Sequence, residues 1–258
     1  MTTPRMFNFS AGPGTMPLSV LQEVEQHLLN LPGAGMSILE ISHRSSTFDK
    51  ILSTAQENLR ELLQLPDHYK ILFLQGGATL QFSMIPMSFL RDSGQPAEYI
   101  VTGAWGQKAY KEATREGVAQ VAWTGERDGF TRTPGPSELS LGADTSYAHF
   151  TSNETIHGVQ FREHPDLANV PLFCDMSSDF LSQPIDVKRC ALVYAGAQKN
   201  VGPAGVTVVL IRDDLIERAS LGLHTLLDYR VHAAQNSMHN TPPVFAIYIV
   251  MLITGWLL

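Results

Sequence analysis

Residues 194–211 read YAGAQKNVGPAGVTVVLI, and this stretch decides the fold. It contains parts of two apolar runs, 191–194 and 206–211, which are too short for helices and show no polar alternation. Such runs are typical of strands that are covered on both faces of a sheet. Between them lies a loop of small residues that holds one lysine, Lys199. The stretch therefore predicts a strand, a loop that a ligand can approach closely, and a second strand.

Five further runs of this kind precede the stretch, at residues 71–74, 99–102, 119–123, 147–151 and 172–174. Apolar residues recur at helical spacing in 18–28 and 48–63, and a helical pattern also covers 107–116. Ser46, followed by Asp49, is expected to cap the helix over 48–63. Strands that alternate with helices predict an α/β fold with a mostly parallel central sheet flanked by helices.

The composition excludes several classes of function. The chain has 258 residues, a formal net charge of −7 and no run of five basic residues, so we predict no nucleic-acid partner. Its two cysteines, Cys174 and Cys190, form neither a disulfide framework nor a zinc-ligand pattern, and we predict no metal. The first residues, MTTPRMFNFS, do not resemble a secretion signal, so a cytoplasmic location is expected.

The uncharged stretch 244–258, VFAIYIVMLITGWLL, is the one membrane-like feature of the sequence. A helix that spans a bilayer needs about 20 apolar residues. The stretch is shorter than that, so we expect a buried helix of a soluble protein and no membrane contact. Its abrupt apolar end predicts that further chain should follow it.

Two residues at predicted strand ends have side chains that suit catalysis. Lys199 can bond covalently to a carbonyl group if its pKa is lowered, although an ordinary solvated lysine is the alternative. Asp175 follows the run 172–174 and can hold a protonated ring nitrogen, although it can also cap the next turn. An enzyme that uses pyridoxal 5′-phosphate (PLP) needs both a lysine and such an acid.

Three loops that follow predicted strands add weaker signals. In LQGGATLQF (74–82) a glycine pair leads into a helix, where free N–H groups and the Thr79 hydroxyl suit a phosphate, or form a tight turn. In TGAWG (102–106), Trp105 can stack on a planar ring or lie in the core. In TSNETIHG (151–158), Thr155 can donate a hydrogen bond to a phenolate or carboxylate.

These three segments are followed in the chain by CDMSSD (174–179), YAGAQKNVGPAGVTVV (194–209) and NTPP (240–243). Together they resemble the phosphoserine aminotransferase family, in the class V branch of the fold-type I PLP enzymes. FNFSAGPGTMP (7–17) and MSILEISHRS (36–45) are similar to the same family, so the resemblance covers essentially the whole chain.

The resemblance implies a division of the chain into three parts. Residues 1–15 border the substrate, and residues 16–243 form the PLP-binding large domain. Residues 244–258 start a helix that leads to a small C-terminal domain, which is missing here. In the family that domain supplies a histidine and an arginine to the substrate site, so we expect a truncated chain.

The resemblance also implies a set of cofactor contacts. Lys199 matches the catalytic lysine that carries PLP, and Asp175 the catalytic carboxylate on its pyridine nitrogen. Trp105 matches the residue that stacks on the ring. Asn240 and Thr241 match residues that reach the PLP of the partner subunit, which implies a homodimer. The complete implied cofactor set is Ala78, Thr79, Trp105, Thr155, Asp175, Gln198, Lys199, Asn240 and Thr241.

On the substrate side, the resemblance implies contacts from Ser10, His43 and Arg44. Without the resemblance, Arg44 would be read as a surface ion-pair residue. The implied reaction is PLP-dependent transfer of an amino group between L-glutamate and 3-phosphohydroxypyruvate. It gives O-phospho-L-serine and 2-oxoglutarate, in serine biosynthesis and, in some bacteria, pyridoxine biosynthesis.

Two alternatives stay open at this point. One is another class V PLP enzyme, such as an alanine–glyoxylate type aminotransferase or a cysteine desulfurase. A desulfurase needs a reactive cysteine on a mobile loop, whereas Cys174 and Cys190 lie in or beside strand-like runs. The other is a non-catalytic, PLP-binding remnant of the family.

Overall fold

The strands of the protein form a central sheet and one small ribbon. The computed structural model describes residues 5–142, 144–167, 169–184 and 186–258. In this part of the chain the strands are β1 (Tyr69–Leu74), β2 (Ala97–Val101), β3 (Ala119–Thr124), β4 (Tyr147–Thr151), β5 (Asn153–Glu154), β6 (Val159–Gln160), β7 (Leu172–Asp175), β8 (Leu192–Gly196) and β9 (Thr207–Arg212). All seven apolar runs predicted as strands are strands of the central sheet.

The central sheet has the strand order β1-β9-β8-β7-β4-β2-β3. Strands β3, β2, β4, β7 and β8 pair in parallel. Strand β9 runs antiparallel to both of its neighbours, β8 and β1. The sheet is therefore mostly parallel, as the sequence predicts, and the carboxyl ends of β4, β7 and β8 lie side by side at one edge.

Helices cover both faces of this sheet. They are α1 (Leu18–His27), α2 (Ser46–Leu62), α3 (Gly77–Phe89), α4 (Ala104–Ala113), α5 (Asp213–Arg218), α6 (Tyr229–Ala234) and α7 (Val244–Leu257). Alternate residues of β7 enter different cores, since Leu172 and Cys174 pack in one cluster and Phe173 in the other. Burial on both faces is the reason that these strands read as continuous apolar runs.

The expected helix cap at Ser46 is wrong by one residue. Ser45 has the extended backbone of a cap, and its hydroxyl accepts the Phe48 N–H at 3.2 Å. A cap accepts from an N–H two or three residues later, and the pairs Ser45–Phe48 and Ser46–Asp49 both have that spacing. The adjacent serines therefore leave the helix start ambiguous in the sequence.

The apolar stretch near residue 258 forms α7, which packs against α2 and α1. Ile247, Val250 and Ile253 are buried, whereas Trp256 and Leu258 are 57% and 56% exposed. Within the described ranges, no helix has both the length and the apolar character that a membrane crossing requires.

Candidate active site

The ends of three strands and the start of two helices surround one cavity of about 130 Å³. Strand β7 ends at Asp175, and the loop after β8 carries Lys199. These two residues, 24 positions apart in the chain, meet because their strands are parallel neighbours. The residues that line the cavity are Gly77, Ala78, Thr79, Trp105, Thr151, Asn153, Asp175, Ser177, Ser178, Gln198 and Lys199.

The half-buried amine of Lys199 lies at the centre of this arrangement. It donates a hydrogen bond to the Thr155 hydroxyl, and its Nζ lies 6.0 Å from the centroid of the Trp105 ring. Burial lowers the pKa of Lys199, and the nearby Asp175 and Glu154 carboxylates act in the opposite direction. A lower pKa increases the neutral amine fraction, which is the form that attacks a carbonyl carbon.

Asp175 is a buried carboxylate whose position is fixed by the adjacent turn. Its Oδ1 accepts hydrogen bonds from the Ser177 N–H at 2.9 Å and from the Ser177 hydroxyl at 2.6 Å. The same Ser177 oxygen accepts the Gly196 N–H at 3.0 Å, which joins the ends of β7 and β8. Burial raises the pKa of Asp175 to about 6. A cationic ring nitrogen beside it would favour the charged carboxylate.

The start of α3 faces the same cavity with unpaired backbone donors. Gly76 precedes the helix with φ of 85°, and a Cβ at this position would lie 2.6 Å from the Leu80 side chain, so the turn requires glycine. Gly77, Ala78 and Thr79 then present the first N–H groups of a 13-residue helix. Such a terminus binds a phosphate group without help from lysine or arginine.

A further polar group of the cavity lacks a partner. The buried Thr151 hydroxyl has no hydrogen-bond partner among the described residues. Buried hydroxyl groups are normally satisfied, and a bound polar molecule can provide the missing contact. A lysine, a buried acid, an aromatic wall and a helix N-terminus around one cavity fit PLP, which has an aldehyde, a ring nitrogen, a flat ring and a phosphate.

Glu154 is fully buried beside this cavity and was not predicted from the sequence as a site residue. Its Oε1 accepts the Gly106 N–H at 2.7 Å, and its Oε2 accepts the Trp105 N–H at 3.0 Å. Its partners are 48 and 49 residues away in sequence, so no local pattern reveals the contact. The two glycines that flank Trp105 were the available signal.

The segment before α1 lies against the lysine loop. The Gly14 N–H donates to the Gln198 carbonyl oxygen at 2.7 Å, and a Cβ on Gly14 would lie only 1.7 Å from the Lys199 carbonyl oxygen. Ser10, four residues earlier, is exposed and does not line the cavity. The segment therefore reaches the site through its glycine backbone.

The remaining predicted residues lie outside the cavity of this chain. His43 is partly buried with an unpartnered Nε2, and Arg44 is exposed. Asn240 donates from Nδ2 to the Gln75 side-chain oxygen at 3.3 Å, and the Thr241 carbonyl accepts from the Gln75 amide at 3.4 Å. Asn240 and Thr241 thus lie beside the turn that leads into α3. Among the described residues, no group of three or more His, Cys, Asp and Glu side chains is arranged to hold a metal ion.

Comparisons with known proteins agree with this geometry. The profile of the family described as Aminotransferase class-V matches residues 6–257. The phosphoserine aminotransferase of Laribacter hongkongensis is 51% identical over 252 residues, which cover 98% of this chain and 70% of that relative.

Solved structures give the same result. The phosphoserine aminotransferase of Bacillus circulans subsp. alkalophilus is 47% identical with a TM-score of 0.95, and the match covers 98% of this chain and 70% of that one. The PLP-bound phosphoserine aminotransferase of Trichomonas vaginalis is 40% identical with a TM-score of 0.91, over 98% and 75%.

Proposed function

Because the chain belongs to the class-V aminotransferase family, we propose that it transfers an amino group between L-glutamate and 3-phosphohydroxypyruvate with the help of PLP. The products are O-phospho-L-serine and 2-oxoglutarate, and the reaction belongs to serine biosynthesis. The observation that carries the proposal is the convergence of Lys199 and Asp175 on one cavity. The names of the relatives at about half identity support the choice of substrates.

PLP, when bound, supplies the electron sink that stabilises negative charge at the substrate Cα atom. Lys199 would hold the cofactor through its aldehyde group, since its amine lies in the cavity and has a lowered pKa. When its amine is free, Lys199 would act as the base that takes the proton from the substrate Cα atom. Thr155 accepts a hydrogen bond from this amine and would orient it in the cavity.

The other residues hold and orient the cofactor. Asp175 would accept a hydrogen bond from the protonated ring nitrogen, and Trp105 would cover one face of the ring. The N–H groups at Ala78 and Thr79 would bind the phosphate together with Gln198. On the substrate side, Arg44 binds an oxyanion with two parallel hydrogen bonds, assisted by His43 and Ser10. Local donors are needed because the net charge of −7 repels anionic substrates at long range.

We further propose a homodimer in which Asn240 and Thr241 of each subunit contact the phosphate of the partner's PLP. Two observations support it. Both residues lie beside the α3 turn without lining the cavity of their own chain. In addition, Met6, Phe7 and Phe9 are each at least 90% exposed, and apolar surface of this kind favours association.

The boundaries at residues 15 and 243 stay predictions. A cytoplasmic location is proposed as well, and it is supported by two free, buried cysteines, since reducing compartments keep thiols unpaired.

One experiment tests the proposal directly. The 258-residue chain is mixed with PLP, and the visible absorption of the bound cofactor is recorded together with glutamate formation from phosphoserine and 2-oxoglutarate. We expect both a protein-bound visible band and glutamate. Absence of the band contradicts PLP binding, and a band without glutamate favours the non-catalytic remnant.

A further inference from the structure

The carboxylate of Glu154 fixes the start of the helix that carries Trp105. Its two oxygens accept the first N–H groups of α4, at Trp105 and Gly106, at 3.0 and 2.7 Å. The residue before the helix, Gly103, has no side chain that could cap it. A carboxylate from β5, distant in the chain, therefore takes the place of a helix cap, where negative charge is favourable.

The glycines around Trp105 make room for this carboxylate. A Cβ on Gly103 would lie 2.6 Å from Glu154 Cδ and 2.7 Å from its Oε2, and a Cβ on Gly106 would lie 3.4 Å from Oε1. The backbone of Gly103 is extended, with φ of 173°, a conformation that any residue can adopt. The space that Glu154 occupies, rather than the backbone, excludes a larger residue at position 103.

Glu154 also connects two walls of the cavity. The next residue, Thr155, accepts the hydrogen bond of the Lys199 amine, while Glu154 itself holds the backbone of Trp105. We propose that Glu154 is a positioning residue that fixes the Trp105 ring, and with it the orientation of bound PLP, relative to Lys199. This inference rests on the proposed PLP-dependent function. It also explains why positions 103 and 106 are glycines, since a side chain at either position would lie against the Glu154 carboxylate.

Burial of the Glu154 carboxyl outweighs its hydrogen bonds, so its pKa is raised. The Gly106 and Trp105 N–H groups and the nearby Lys199 act in the opposite direction and lower the pKa. An amide at this position keeps one acceptor oxygen, but its NH₂ group faces the second N–H. Glu154→Gln is therefore expected to be intermediate between the parent chain and Glu154→Ala.

The first test measures PLP binding to the purified chain and to both variants. We expect Glu154→Ala to raise the dissociation constant for PLP about 10- to 100-fold, as for the loss of strong hydrogen bonds, and Glu154→Gln to raise it less. The ratio of visible circular dichroism to visible absorbance reports ring orientation and is expected to fall in the same order. The control is Glu116→Gln, which removes a surface ion pair with Arg91 and should change neither quantity.

The second test examines the fit at Gly103 without PLP. Gly103→Ala is expected to lower the melting temperature of the parent chain clearly. In the Glu154→Ala background the same substitution should have little effect, because its collision partner is gone. Equal losses in both backgrounds would show that Gly103 is required for another reason and would overturn the fit.

The outcomes separate the two proposals. A parent chain that gives no bound-PLP band contradicts the proposed function, while the Gly103 comparison still decides the fit. A parent chain that binds PLP, together with Glu154→Gln and Glu154→Ala variants of unchanged affinity and unchanged dichroism ratio, overturns the positioning role alone. If Glu154→Ala does not fold, Glu154→Gln decides.

Discussion

The cavity wall built by strand ends differs from the positions of Arg44 and Asn240, which lie outside the cavity. Asp175 and Lys199 follow neighbouring parallel strands, so the sheet register determines their separation. Arg44 is exposed, and Asn240 donates a hydrogen bond to Gln75 beside the α3 turn. One folded chain therefore assembles the cofactor side of the site. The predicted substrate and cross-subunit contacts depend instead on groups that meet Arg44 and Asn240 from outside.

The largest effect is expected for Lys199, the residue at the centre of the cavity wall. Lys199→Ala should abolish covalent fixation of PLP by borohydride, because Lys199 is the lysine among the described residues that line the cavity. Lys108 is the instructive control, since its Nζ lies 4.1 Å from the Trp105 ring centroid but outside the cavity lining. Peptide mapping should find the label on Lys199 in a Lys108→Ala variant. A label on Lys108 or Lys188 contradicts the assignment.

The predicted substrate contact outside the cavity is tested by Arg44→Ala. Loss of one charged contact to an anionic substrate costs about 2–5 kcal/mol, which corresponds to roughly 30- to 4,000-fold in kcat/KM for phosphoserine. The affinity for PLP should stay the same, because Arg44 does not line the cavity. Arg127→Ala, a change at another exposed arginine, serves as the control. A PLP affinity that falls with Arg44→Ala would break the distinction between wall and surface.

Asp175→Asn should reduce turnover more than cofactor retention. The variant loses a hydrogen bond to a charged group, worth about 1.5–3 kcal/mol, so kcat should fall about 10- to 150-fold. The α3 turn, Trp105 and Lys199 continue to hold PLP. Steady-state rates and PLP titration of the same preparation compare the two losses, and unchanged turnover removes Asp175 from its role.

The same substitution has a pH-dependent effect on the PLP-free chain. Burial raises the pKa of Asp175 to about 6 in the folded state. Below about pH 4 the buried Asp175 is protonated and does not destabilise the folded state. Stability is lost as the pH rises through 6, because the buried carboxyl then gives up its proton. Asp175→Asn should raise the free energy of unfolding by about 3 kcal/mol at pH 8, and by about half as much at pH 5. Urea denaturation at both pH values provides the measurement, and a gain that is independent of pH argues against a buried charge.

The smallest effect is expected for Asn240→Ala, which should weaken PLP binding severalfold through one hydrogen bond. Subunit mixing makes this variant informative. If Asn240 acts across the interface, dimers mixed from Asn240→Ala and Lys199→Ala chains contain one intact site with the parent affinity for PLP. If it acts within its own chain, mixing restores nothing.

The strands were predictable because each is a short run with its own local signature. Residues 147–151 match β4 residue for residue. The direction of β9 was not predictable, since an apolar run carries no information about the neighbour it pairs with. Adjacent serines likewise left the start of α2 undecided.

The site was predictable to the extent that its residues follow strands. Asp175, Trp105 and Lys199 each lie just beyond an apolar run, and the fold brings them to one edge. Glu154 was missed because a carboxylate in a polar loop is indistinguishable from a solvated one until its distant N–H partners are known. Ser177 joins Asp175 to the end of β8, a contact that the sequence does not reveal.

The pairing of β1 with β9 has a consequence for how the protein assembles. Strand β1 forms an edge of the sheet, and its register joins Tyr69 to Arg212, far apart along the chain. Contacts of such long range form slowly, because the intervening loop must first be closed. The turn into α3 directly follows β1, and the lysine loop lies between β8 and β9, so these two walls of the cavity meet only when β1 pairs with β9. During refolding, the bound-PLP absorbance should therefore rise at the rate at which β1 pairs with β9, and not at the rate at which the first strands form.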